Sequence, residues 1–412
     1  MNDKQLFPRL VKIYFITRRN KRYGKDAMAF EMSWASNLVR EWRERLDRTL
    51  RVRHNYAFLT SVPRWREIMA TEFAGRIVDH EICEVAIPNA EQLLSPYTFN
   101  NRVGKGAQAA LNQLIEHLDS VTRGYTEPCR IIKVDLSGYF PNARWDVAER
   151  GMRRVLDLAG LDPDETAYLK WLTTVSINCN PAAHFERKTP AWLWREHIDP
   201  EKSILTKPAG VGAAIGRLIW QTAMGQYIND EIRWLSEDCG LHVVCFVDDI
   251  AIVVPERLHG YALAQLPELR RRLAAKGVRL NERKFYDQPC TNGVEFLGSH
   301  IRPGRIHLND KTYGQAVTRI LELNRTKHKE AALDGFLASI NSYTGVLKQR
   351  TDYGRLIALR DLIDPEWWKY VEWDSDRKCV VCRDGYRWAQ RMDRKYHLKL
   401  HKYGKRRTRR AA

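Results

Sequence analysis

Three aspartates stand where aspartates are costly. Asp135 lies near the end of the apolar run Cys129-Arg-Ile-Ile-Lys-Val-Asp-Leu, and Asp248 and Asp249 interrupt His242-Val-Val-Cys-Phe-Val-Asp-Asp-Ile-Ala-Ile-Val-Val. A carboxylate inside an apolar strand is unfavourable unless a metal or a cationic partner neutralises it. Carboxylate oxygens on rigid strands suit hard divalent ions such as Mg²⁺. Two such ions side by side are what nucleotidyl transfer needs, because together they stabilise the attacking and leaving oxygens. Taken alone, Phe246-Val-Asp-Asp is also what a solvated hairpin turn looks like, so its chemistry depends on what accompanies it.

Residues with this task need a sheet beneath them. Residues 129–136 read as one strand, and 242–254 as a hairpin with two acids in its turn. Ahead of them the pattern predicts an Arg- and Trp-rich helix over roughly 29–50, a strand over 56–63 and a helix over 73–85. The basic, Gly-rich turn Asn101-Arg-Val-Gly-Lys-Gly then opens a helix near Ala107. Between the acidic strands lie helices near 146–158 and 164–176, a Pro-rich excursion over about 180–208, and a helix over about 217–236. The last third is helical over about 311–362 and gives way to Lys402-Tyr-Gly-Lys-Arg-Arg-Thr-Arg-Arg. No period of 20 to 50 residues repeats, which excludes a solenoid or propeller.

Charge narrows the partner. Across 412 residues, 68 Lys and Arg against 50 Asp and Glu leave a formal net charge of +18, and the pI is near 9.6. That balance favours a polyanion, nucleic acid first. The opening stretch is too broken by charge for a secretory signal, and there is no long apolar run for a membrane span, so a cytoplasmic protein without a membrane partner is expected. Cys83, Cys129, Cys179, Cys239 and Cys245 are scattered singly, as reduced thiols packed in a core are. Cys379 and Cys382, followed by His397 and His401, have a spacing compatible with four tetrahedral Zn²⁺ ligands. The plainer reading is two packed thiols and two histidines on a basic, RNA-binding helix.

In chain order, these pieces resemble the motifs of reverse transcriptases. They are Pro63-Arg-Trp-Arg-Glu-Ile, Gly75-Arg-Ile-Val-Asp-His, Ser95-Pro-Tyr-Thr-Phe-Asn-Asn-Arg-Val-Gly-Lys-Gly, Lys133-Val-Asp-Leu-Ser-Gly-Tyr-Phe, Ala214-Ile-Gly-Arg-Leu-Ile-Trp-Gln-Thr-Ala, Phe246-Val-Asp-Asp, Leu280-Asn-Glu-Arg-Lys, Val294-Glu-Phe-Leu-Gly-Ser-His-Ile and Asn341-Ser-Tyr-Thr-Gly-Val-Leu-Lys. The resemblance implies an α+β right-hand polymerase. Its parts would be an N-terminal basic helical segment (1–50), fingers (51–128), a palm with an antiparallel sheet (129–300) carrying an insertion at about 178–208, a helical thumb (301–365) and a basic C-terminal extension (366–412).

It also implies roles. Asp135, Asp248, Asp249 and the Leu136 carbonyl would hold two Mg²⁺ ions, and Lys284 would protonate the pyrophosphate leaving group. Arg66 and Arg76 would grip the triphosphate, since Arg makes bidentate phosphate contacts. Phe140 would exclude a ribose 2′-hydroxyl, although a core aromatic is the commoner fate of any Phe. Gly216 and Gln221 would line the nucleotide site, and Arg102, Lys105 and Trp220 the template, although each cation read singly is as easily a solvated surface residue. Trp220 is a departure, because the family usually has a small Ser before this Gln, which puts nucleotide preference and template path in question.

Within the superfamily the closest resemblance is to prokaryotic defence-associated enzymes (type 2, unknown group) and those of diversity-generating retroelements. The implied activity is RNA-directed DNA synthesis in bacterial antiphage defence, copying a companion structured noncoding RNA into cDNA from deoxynucleoside triphosphates. The alternatives are mutagenic copying in a diversity-generating retroelement, untemplated DNA synthesis, and a non-catalytic RNA-binding scaffold.

Overall fold

The computed structural model of the chain describes residues 3–383 other than Asn20, Arg22, Tyr23, Arg53, His54, Val62 and Pro63. His397, His401 and the basic C-terminal run lie outside the described residues. The fold is mixed α and β and divides into two compact units, residues 1–290 and 291–412. No helix of the described residues is long and apolar enough to cross a membrane.

The first unit opens with α1 (Asp3–Arg18), α2 (Lys25–Glu31) and α3 (Trp34–Leu46), followed by β1 (Asn55–Thr60), β2 (Arg66–Thr71), α4 (Phe73–Ala90) and α5 (Ala107–Val121). The expected 29–50 helix is thus two helices, and α1 and β2 are elements that the sequence pattern did not predict. Next come β3 (Cys129–Ser137), α6 (Trp145–Asp157) and α7 (Pro163–Ile177). α7 starts where Asp162 caps the Asp164 amide and Pro163 takes the first helical position, where a missing N–H costs nothing. The Pro-rich excursion holds β4 (Phe185–Arg187) and α8 (Ala191–His197). The helix expected over 217–236 is α9 (Leu218–Gln226), then α10 (Asn229–Arg233) running into a π-turn. After β5 (His242–Phe246) and β6 (Asp249–Pro255) the unit closes with α11 (His259–Ala264), α12 (Leu266–Ala275), β7 (Arg279–Leu280) and β8 (Tyr286–Pro289).

Two sheets result. The larger runs β5-β6-β3-β7, with β8 also on β3, and these pairings are antiparallel. Ile250 to Val254 are all buried, so the continuous apolar run of β6 reports a strand covered on both faces. α5 packs on β5 and β6, while α4, α6, α7 and α9 form a helical layer. The smaller sheet, β2-β1-β4, joins β4 to β1 in parallel.

Buried ion pairs fasten the helical layer. The Arg217 guanidinium is bidentate to Asp79 (Nη2–Oδ1 2.6 Å, Nε–Oδ2 3.2 Å) and donates to the Ser176 carbonyl and hydroxyl, so α9, α4 and α7 share one polar knot. Arg45 of α3 likewise bonds Glu41 and Glu81, and the Tyr168 hydroxyl donates to Glu81.

The second unit comprises β9 (Val294–Phe296), β10 (Ser299–Arg302), β11 (Arg305–Leu308), α13 (Asp310–Asn324), α14 (Leu333–Leu347), α15 (Tyr353–Asp361), β12 (Val371–Asp374) and β13 (Cys379–Cys382). The Phe336 ring stacks on Trp367 at 3.9 Å at its core. On β13, Val380 and Cys382 are buried while Cys379 and Val381 are half-buried. Strand alternation therefore sends the two side chains to opposite faces of β13.

Candidate active site

The antiparallel register of β3 and β6 makes Asp135 and Asp249 direct partners, and the β5–β6 turn adds Asp248 beside them. All three acids stand at one end of one sheet. The turn that delivers Asp248 is strained: Val247, a β-branched residue, has φ +57°, a conformation costing roughly 1–3 kcal/mol. Asn100 holds it there by accepting the Val247 amide proton at 3.2 Å. The segment bearing Asn100 is itself stitched to β5, through Phe99 N to Cys245 O and Cys245 N to Tyr97 O. Across the strands, the Leu136 amide donates to the Asp248 carbonyl at 2.9 Å.

Each acid has distinct company. Asp135 is buried and receives Lys284 Nζ at 3.0 Å and Asn281 Nδ2 at 3.1 Å. Asp249 pairs with Lys133 Nζ at 3.3 Å. Burial raises the Asp248 pKa, as does repulsion from Asp249 and Asp135, while the charge of Arg64 works in the opposite direction. Among the described residues no three or more His, Cys, Asp and Glu side chains are gathered as a metal-ligand cluster. The donor chemistry nonetheless fits a hard divalent cation: every candidate ligand is an oxygen, three carboxylates and the Leu136 carbonyl, and the burial and repulsion that raise Asp248 are what such a cation would offset.

The strand β2 follows closely on Arg64, whose charge acts on Asp248. The Met69 amide donates to the Ile215 carbonyl at 2.8 Å, and Gly216 follows with φ +115°. A Cβ at Gly216 would sit 2.8 Å from Ile68 Cγ2 and 3.1 Å from Met69 O, so this approach admits only glycine. Gln221 is exposed, and its carbonyl accepts from Asn101 Nδ2. Phe140 is half-buried, and its ring is edge-on to that of Tyr139, whose hydroxyl donates to Met224 O. Arg66 is exposed on β2.

Four expected contact residues have other employment. Trp220 is 1% exposed and belongs to the core, so its ring does not reach a template. The Arg102 side chain is 7% exposed, paired with Glu91 and donating to the Ser95 and Thr98 carbonyls. Lys105 donates to Pro96 O and lies over the Phe99 ring. Both cations fold their own turn together instead of standing open to a template. Arg76 pairs with Asp26 at 3.0 Å and donates to Thr71 O, tying α4 to α2.

Conversely, Lys133, Asn281, Arg64 and Asn100 are at the site without having been predicted there. Each lies within a motif already quoted or one residue from a singled-out side chain. Lys133 had a readable signal, because it precedes Asp135 by two on a strand and shares its face.

No family model matches the sequence, and no curated protein matches it. Among solved structures, one similar chain is the apo telomerase from Candida tropicalis truncated from its C-terminal domain. It is 9% identical with a TM-score of 0.45, over 63% of this chain and 55% of that one. The chain spans about half the length of that telomerase chain.

Proposed function

We propose that the chain is an RNA-directed DNA polymerase that copies a companion structured RNA. The observation carrying this reading is the meeting of Asp135, Asp248 and Asp249 at one sheet end, two of them as register partners on adjacent antiparallel strands. The ordered motifs around them support it. In this reading the first unit supplies fingers and palm and the second a thumb. Asp135, Asp248, Asp249 and the Leu136 carbonyl would hold two Mg²⁺ ions. When bound, these supply Lewis-acid stabilisation of the attacking and leaving oxygens.

The remaining work falls to the chain's own side chains. Arg66 orients the triphosphate of the incoming deoxynucleotide, and Gly216 lets the backbone approach it closely. Phe140 presents a ring edge where a ribose 2′-hydroxyl would lie. Lys284 carries a proton at Nζ beside Asp135, within the site where the leaving group departs. Arg64 and Lys133 offset the accumulated negative charge. The net charge of +18 suits a nucleic-acid duplex. The sequence resemblance to defence-associated enzymes supports a role in antiphage defence, with mutagenic copying in a diversity-generating retroelement as the alternative.

The test is to purify the protein with its bound nucleic acid, add deoxynucleotides and Mg²⁺, and sequence RNA and DNA beside an Asp248→Ala/Asp249→Ala control. DNA complementary to one discrete RNA, absent from the control, is expected. No DNA, or DNA unrelated to any bound RNA, would replace this reading with a scaffold or an untemplated polymerase.

A further inference from the structure

The insertion between α7 and α9 takes no part in the site described above, yet it is anchored on β2, the strand that carries Arg66 and follows Arg64. Glu67 of β2 is buried and accepts three hydrogen bonds, all from the insertion: Trp194 Nε1 at 2.9 Å, Ser203 Oγ at 2.6 Å and Ile204 N at 2.8 Å. Just ahead of β2, the Trp65 ring lies parallel to the His197 ring, 4.0 Å away and tilted by 7°. The insertion also extends the sheet itself, since β4 pairs with β1, Lys188 N donates to Ala57 O and Leu59 N donates to Thr189 Oγ1.

Arg66 sits between the two gripped residues. Strand alternation puts Glu67 and Met69 on the buried face of β2 and Arg66 and Ile68 on the other. On that other face, Ile68 is the nearest neighbour of the missing Gly216 Cβ. The insertion therefore clamps the backbone of β2 from behind, and what the clamp fixes in front is the position of Arg66 relative to the Gly216 loop.

We infer that the insertion is a brace for nucleotide binding, in which Glu67 is a positioning residue that acts through Arg66 and His197 reinforces it by stacking on Trp65. The ligand class is the triphosphate of an incoming nucleotide, and the inference rests on the polymerase reading. A carboxylate that satisfies three donors of one segment orders that segment around it. An arginine one residue away inherits the order, and misplacement of about 1 Å in a binding group can cost on the order of a hundredfold.

The experiment measures single-nucleotide incorporation on a fixed primer and RNA template for wild type, Glu67→Ala, His197→Ala, Arg66→Ala and the Arg66→Ala/Glu67→Ala double variant, with limited proteolysis of each. Glu67→Ala is expected to raise the KM for the deoxynucleotide by about tenfold, and His197→Ala by about threefold, with kcat within about twofold of wild type. In the Arg66→Ala background, Glu67→Ala should add no further rise in KM, because the effect runs through Arg66.

Multiplying KM effects in the double variant, or a fall in kcat at constant KM, would overturn the inference. So would an unchanged KM in both His197→Ala and Glu67→Ala. His197→Ala removes only a partly exposed stack, so it provides the test even where Glu67→Ala fails to fold. If wild type incorporates no nucleotide at all, the polymerase reading falls and takes this inference with it. If wild type incorporates normally and the KM values do not move, only the brace is lost.

Discussion

Two groups of acids in the first unit are surrounded by apolar structure, and they are treated in opposite ways. Asp79 and Glu81 on α4 each face a buried arginine, Arg217 and Arg45, and accept hydrogen bonds from it. Asp248 instead has its pKa raised, by burial first and then by two further carboxylates. Burial is common to both groups; the sign of the neighbours differs. A buried acid matched by a guanidinium fastens helices together, whereas acids crowded against acids at a strand end store an unfavourable charge that a cationic ligand can relieve.

That contrast is open to direct attack. The largest effect should come from Asp135→Asn or Asp248→Asn, each lowering nucleotide incorporation on the order of a thousandfold or more in single-turnover assays. Asp248→Asn should at the same time raise the melting temperature at neutral pH. A raised folded-state pKa means that the folded protein binds more protons, so stability is lost as pH rises from the ordinary aspartate range through the raised value. The advantage of the variant over wild type should accordingly shrink as the pH is lowered, which denaturation at several pH values would show.

Asp79→Ala should behave in the opposite sense. It leaves Arg217 buried without its carboxylate and should cost about 3–5 kcal/mol of stability by denaturant unfolding. An unaltered midpoint would mean that the Asp79 pair does not fasten the helices as described. Next in size, Lys284→Met should slow incorporation by about a hundredfold and change the alkaline limb of the rate profile, as loss of a proton donor does. An unchanged limb would leave Lys284 as a counter-ion to Asp135 only.

The smallest effect concerns the back of the same sheet. His117 is buried beside Tyr97 and His242, its Nε2 lies 3.2 Å from Val243 O, and burial lowers its pKa to about 4. With the folded value below the ordinary 6.5, the unfolded chain takes up the proton first, so stability should fall as pH drops from about 6.5 to about 4. Replacement by Gln should flatten that fall in thermal melts.

Much of this arrangement was written locally in the chain. The runs on either side of Asp248 and Asp249, five consecutive apolar residues each, fit no amphipathic helix, and their antiparallel pairing follows from so short a turn. Helices α4 to α7 were legible from periodicity and capping. By contrast, charge and Pro8 obscured α1, and the alternation of β2 is too short to read.

What only the tertiary structure decided was the partner of each polar side chain. Arg102 and Lys105 read as open cations, and folding turned them onto carbonyls of their own loop. Trp220 read as a residue of the template path and is core. Cys379 and Cys382 read most simply as packed thiols, and on β13 Cys382 is buried and Cys379 half-buried. The bonds from the insertion to Glu67 cross more than a hundred residues of chain. Apolar patterning is a property of neighbouring residues and survives in the sequence. Hydrogen-bond and ion-pair partners are chosen among groups that only the folded chain brings within reach, so the sequence by itself determined where the acids stand and the tertiary structure determined what faces them.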